Sequence, residues 1–137
     1  MPKEILEKKL EQIRALIDEL GMLLKKPEED FVKDTVVIRA AERDFQLIID
    51  SASDINAHLL IERGKKTPDT YRQSFIDLGN EGIISRQLAD VLAISARLRN
   101  ILVHEYDFEE DYVRFYREAK KFLPYLEEYA KAIAAMG

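Results

Sequence analysis

Leu6, Leu10, Ile13, Ile17, Leu20 and Leu24 recur at alternating steps of four and three, a heptad-like stripe that only a helix with one buried face can satisfy. Lys25 and Lys26 suit a helix C-terminus and Pro27 ends the pattern, so the first helix is expected over about 3–25. The same periodicity returns along the chain. Asp34 opens a second run (Val37, Ala40, Ala41, Leu47, Ile48, Ala52, Ile55, Leu59) that stops at Gly64 before Lys65-Lys66-Thr67-Pro68, predicting a helix over about 34–62. Thr70 or a near neighbour is expected to cap a short helix with Tyr71, Phe75, Ile76 and Leu78, broken by Gly79-Asn80-Glu81-Gly82, which holds two residues suited to positive φ. Ser85 is the expected N-cap of the next helix, with Leu88, Val91, Leu92, Ser95 and Leu98 on its buried stripe. Asp107 with Glu110 has capping-box spacing for a last helix to about residue 135, along which Tyr112, Tyr116, Ala119, Phe122, Leu123, Leu126 and Tyr129 form a stripe that Pro124 should bend. Strand signals are lacking, so the expectation is an all-α, up-and-down bundle of four long helices plus one short helix.

The 137 residues suit a single domain, 1–137, large enough to bury a core without a metal or disulfide staple. The absence of cysteine removes disulfides, thiolate zinc sites and cysteine nucleophiles, and only two histidines remain for imidazole chemistry. No apolar run approaches the ~20 residues that cross a bilayer, and Met1-Pro2-Lys3-Glu4 opens no secretory or transit signal, so a cytoplasmic protein without membrane contact is expected. The formal charge of -5 argues against bulk electrostatic capture of nucleic acid. The acidic excess lies in residues 1–30 and 105–137, however, and the middle is balanced. Arg39, Arg43, Arg97 and Arg99 could form a phosphate-binding patch there if they converge, or could join ordinary surface ion pairs.

Polar chemistry concentrates in Arg97-Leu98-Arg99-Asn100-Ile101-Leu102-Val103-His104-Glu105-Tyr106. Two arginines, an amide, an imidazole and a phenol can bind a phosphodiester, move a proton near neutral pH and offer a modifiable hydroxyl. At about 100° per residue Asn100 and His104 share a face and Arg97 lies nearly above His104, but Arg99 is about 140° away from it. Arg99 and His104 therefore meet only if the helix unwinds near His104 or if a second copy brings the same segment alongside. The structural alternative is that His104 caps carbonyls, Arg99 pairs with Glu105 or Asp107, and Tyr106 packs. His58 has no second histidine at metal-ligand spacing and reads as structural. No glycine-rich phosphate loop or paired-carboxylate site is present, and neither a metal nor a cofactor is expected.

The run Arg99-Asn100-Ile101-Leu102-Val103-His104-Glu105-Tyr106 resembles the motif of the HEPN superfamily, and within it the HepT-type toxins: arginine, a polar residue, three further residues, histidine, any residue, tyrosine. The rest of the chain fits over about residues 1–135, including Arg39-Ala40-Ala41-Glu42-Arg43, Gln46-Leu47-Ile48-Ile49-Asp50, Thr67-Pro68-Asp69-Thr70-Tyr71 and Gly82-Ile83-Ile84. Leu98 stands where relatives often carry an aromatic residue. The resemblance implies a metal-independent ribonuclease toxin, a homodimer with two motif segments facing across a cleft, in which a 2'-hydroxyl of the RNA substrate attacks the adjacent phosphate. It implies His104 as acid or base, Arg99 as the group that stabilises phosphorane charge, and Asn100 as their support. It further implies a minimal nucleotidyltransferase antitoxin as partner, silencing the toxin by placing AMP on Tyr106. A HEPN domain without turnover, serving as the substrate- or nucleotide-binding subunit of such a nucleotidyltransferase, is the alternative; a plain helical interaction protein is the third.

Overall fold

The computed structural model describes residues 2–104 and 111–136. Among the described residues six helices follow in order: α1 (Lys3–Leu23), α2 (Glu28–Phe31), α3 (Thr35–Glu62), α4 (Tyr71–Asn80), α5 (Arg86–His104) and α6 (Tyr112–Ala134). The four long helices and the short α4 are the expected elements. The single turn α2 is additional: Pro27 precedes it, Glu28, Glu29 and Asp30 fill its first turn against the helix dipole, and Phe31 is fully buried. Among the described residues no helix is long and apolar enough to cross a membrane.

Three of the expected caps form. Asp34 accepts from the Val37 amide at 3.2 Å, Thr70 from Gln73 at 3.0 Å and Ser85 from Leu88 at 3.1 Å. The fourth differs, because α6 opens at Tyr112 with Asp111 as its N-cap, accepting from the Arg114 amide at 3.1 Å. The expected box residues Asp107 and Glu110 lie outside the described residues. Between α4 and α5 only Gly82 takes a positive φ, 72°. Gly79 is instead a packing glycine: a Cβ there would stand 2.6 Å from the Ala89 Cβ of α5. α6 runs through Pro124 as one helix.

The core collects the predicted faces. Leu10, Ile13, Ile17 and Leu20 of α1 pack on α3 and α6, while α4 lies along α5 and both rest on α3. Phe115, missing from the expected α6 stripe, is fully buried and meets Phe45 edge-on at 6.3 Å, with Phe31 and Tyr116 beside it at 4.9 Å centroid separation. The Tyr116 hydroxyl donates to the Lys26 carbonyl at 2.7 Å and so ties α6 to the segment that follows α1.

One polar chain crosses the core. The Tyr129 hydroxyl of α6 donates to Asn56 Oδ1 of α3 at 2.6 Å, Asn56 Nδ2 donates to Ser74 Oγ of α4 at 3.0 Å, and Ser74 Oγ donates to the Tyr71 carbonyl at 2.7 Å. Tyr129, Asn56 and Ser74 are all buried. Burial pushes the Tyr129 phenol well above its ordinary range, so it stays a donor throughout the physiological range. A satisfied chain of this kind specifies one register among three helices, and it ends on the first residue of α4.

Candidate active site

Arg99 sits on α5 where that helix crosses the middle of α3. Its Nε donates to Asp50 Oδ1 of α3 at 2.7 Å, and its Nη1 donates to Asn100 Oδ1 at 3.2 Å. The guanidinium carbon lies 4.6 Å from the ring centroid of Tyr71, the residue that Thr70 caps at the start of α4. The side chains of Arg99 and Asp50 are 14% and 28% exposed, so the pair sits at the rim of the core with one edge open to solvent. Burial, then the Asp50 carboxylate, push the Tyr71 phenol above its ordinary value, with Arg99 opposing them. Glu105 and Asp107, the partners of Arg99 in the structural alternative, lie outside the described residues.

A guanidinium has five N–H donors. Asp50 takes the one on Nε and Asn100 one on Nη1; the other three, on the two terminal nitrogens, meet no acceptor among the described residues. Asn100 is exposed and turned toward Arg99. Position 104 closes α5, whose backbone remains helical to that point, so the helix does not unwind before His104 and positions 99 and 104 stay about 140° apart around its axis. Tyr106 lies outside the described residues.

The four-arginine patch is resolved into parts. On α3, positions 39, 43 and 50 fall within about 40° of one another, so Arg39 and Arg43 continue, toward the helix start, the face from which Asp50 reaches Arg99. Arg43 is exposed, whereas Arg39 donates to Glu42 at 3.0 Å and lies 5.9 Å from the Tyr112 ring centroid. Arg97 is exposed on α5 about 160° around the axis from Arg99, so one chain does not bring these two together. His58, with Nε2 2.7 Å from Glu62 Oε1 one turn on, belongs to the far end of α3, as its structural reading expects. Among the described residues no group of three or more His, Asp or Glu gathers as a metal cage. A groove of about 510 Å³ is likewise remote: Leu6, Leu10, Leu59 and Ile133 line it where α1 begins and α3 and α6 end.

Asp50 and Tyr71 stand in segments that carry the resemblance, but their place beside Arg99 escapes a reading of the sequence. Asp50 follows the apolar run Leu47-Ile48-Ile49 and its partner is 49 residues away, so no local spacing marks it. Its one signal is a carboxylate at the edge of a core stripe, which needs a counter-charge.

Residues 6–133 match the sequence model of the family described as Ribonuclease HepT-like. The chain is 37% identical over 103 residues, 75% of its own length and 70% of the relative's, to the tRNA nuclease HepT of Aphanizomenon flos-aquae. It is 33% identical over 102 residues, 74% and 72% of the two lengths, to a putative RNase of Archaeoglobus fulgidus. In fold it is similar to the tri-AMPylated HEPN toxin of Shewanella oneidensis, solved in complex with MNT antitoxin, with a TM-score of 0.84 over 98% of this chain and 99% of that one at 24% identity. With the helical bundle and the Arg99 cluster in place, the match across nearly the whole chain shows that it belongs to the HepT-like ribonuclease family.

Proposed function

We propose that this chain is the ribonuclease toxin of a toxin–antitoxin pair and that it cleaves RNA without a metal ion, using Arg99 and His104 in a cleft between two copies. The observation that carries the reading is the Arg99 guanidinium held by Asp50 and Asn100, with three donors that meet no acceptor among the described residues, five positions before the motif histidine. The relative from Aphanizomenon flos-aquae is named a tRNA nuclease, which makes tRNA the first substrate to test.

The chemistry follows from the groups. The 2'-hydroxyl loses its proton and attacks the adjacent phosphorus, the bond to the 5'-oxygen breaks, and that oxygen takes up a proton. The products are a 2',3'-cyclic phosphate and a free 5'-hydroxyl. His104 holds or supplies one of those protons because imidazole titrates nearest neutrality. Arg99 balances the charge that builds on the non-bridging oxygens, a role in which a paired fork of donors exceeds a point charge. The 140° separation on one helix is the argument for a second copy. Arg43 and Arg39 extend the positive face beyond Arg99, compensating locally for the acidic whole.

Regulation rests on Tyr106, two positions after His104. The tri-AMPylated state of the Shewanella oneidensis toxin and its MNT antitoxin support a minimal nucleotidyltransferase as this chain's partner. AMP on Tyr106 brings a phosphodiester that competes with RNA for Arg99.

The test is cleavage of unfractionated tRNA in chelator, with mapping of the new ends. Wild type should leave cyclic phosphates. Arg99→Ala should lose at least about a hundredfold in rate, and Arg99→Lys should recover little of it. Intact tRNA with wild type, together with a stable nucleotidyltransferase complex, would favour the non-catalytic binding subunit instead.

A further inference from the structure

Three helices converge on Arg99, and only one of them carries the motif. Asp50, from the middle of α3, takes the Nε donor at 2.7 Å, and the Tyr71 ring, from the first turn of α4, lies against the guanidinium at 4.6 Å. Tyr71 is itself held from behind. Its carbonyl accepts from Ser74 Oγ, which belongs to the buried chain through Asn56 to Tyr129, and Thr70 caps the turn that begins with it. A free arginine side chain has rotamer freedom to lose on binding, and here much of that freedom is removed beforehand. We infer that Asp50 and Tyr71 are positioning residues that hold Arg99 with its two terminal nitrogens turned outward to the reacting phosphate.

This inference rests on the reading of Arg99 given above. It also makes a demand opposite to that of a residue that binds RNA. The Asp50 carboxylate cancels part of the charge that attracts phosphate, so its loss frees the guanidinium to pair with RNA in orientations that do not react. Ground-state binding should therefore hold or improve while turnover falls, since misplacement of a reacting group by about 1 Å costs on the order of 100-fold. An ion pair that merely joins α3 to α5 would change stability and leave this split untouched.

The experiment measures kcat and KM on unfractionated tRNA, with thermal unfolding of the same full-length dimer preparations. Asp50→Ala should lower kcat by about 10- to 100-fold with KM unchanged or reduced. Asp50→Asn keeps an acceptor for Nε and should fall between Asp50→Ala and wild type; being isosteric, it also decides the matter if the alanine variant does not fold. Tyr71→Phe keeps the ring and should stay within about threefold of wild type, while Tyr71→Leu should lose about tenfold or more in kcat. Wild-type kcat in Asp50→Ala, or a raised KM with unchanged kcat, overturns the inference. If Arg99→Ala is inactive and both Asp50 variants are fully active, only the positioning role falls. If Arg99→Ala cleaves like wild type, or wild type leaves tRNA intact, the reading of Arg99 falls and takes this inference with it.

Discussion

Asp44 is the residue at which burial and charge most plainly oppose each other. It lies on the α1-facing side of α3 at 5% exposure, and its Oδ2 finds no hydrogen-bond partner among the described residues. Burial, then Glu19 beside it, push its carboxyl up to about 7. The folded chain thus holds this proton more tightly than the unfolded chain, whose aspartate titrates near ~3.9, and the associated stability is present below about pH 4 and is lost as pH rises through about 7. Asp44→Asn removes that titration. Its unfolding free energy should exceed that of wild type by about 4 kcal/mol at pH 8, with the gap narrowing to about 1–2 kcal/mol at pH 5 and closing below about pH 4. An equal gap at both pH values, measured by denaturant titration, contradicts the assignment. At this scale the sequence makes the motif legible, because Arg99 and Asn100 stand together and His104 follows at a fixed distance. What holds Arg99 is not legible there: Asp50 and Tyr71 reach it only through tertiary packing, and periodicity reports faces of helices without saying which faces meet.

Elements were the most legible scale, and the exceptions have physical causes. Stripes of apolar residues mark α1, α3, α5 and α6, and side-chain caps mark the starts of α3, α4 and α5. The single turn α2 is too short for a periodic signal, although Pro27 and three acidic residues announce a helix start. At α6 the sequence pattern points to Asp107, whereas Asp111 is the residue that bonds the Arg114 amide and caps the helix. Gly79 carries the sharpest element-scale prediction. In an exposed helix a glycine-to-alanine change gains about 0.5–1 kcal/mol, but here the new methyl would meet the Ala89 Cβ at 2.6 Å, so α4 and α5 must separate. Gly79→Ala should cost about 1–3 kcal/mol. Adding Ala89→Gly should restore much of it, as read by thermal unfolding; an equally unstable double variant would show that the contact is not the cause. Because Tyr71 rides on α4 and Arg99 on α5, the single variant should also lose tRNA cleavage.

For the whole molecule the question is what completes a site that one chain supplies in part. The 140° between positions 99 and 104 is the argument for the proposed second copy, and under that proposal the antitoxin acts on Tyr106. With ATP and its nucleotidyltransferase partner, the chain should gain AMP mass on Tyr106 and lose tRNA cleavage, whereas Tyr106→Phe should gain none there and stay active. AMP located elsewhere with cleavage preserved contradicts this control. The fold class was readable from the sequence because every long helix buries its own stripe; for the proposed sharing of the site between copies the sequence offers only an angle that one helix does not close.

The most direct test of the composite site joins one Arg99→Ala chain to one His104→Ala chain in a heterodimer isolated by two different tags. Each variant homodimer should be inactive on tRNA. If Arg99 of one copy acts with His104 of the other, the heterodimer retains one intact site of two and should recover about half of the wild-type rate. A heterodimer no more active than its parents would contradict the account.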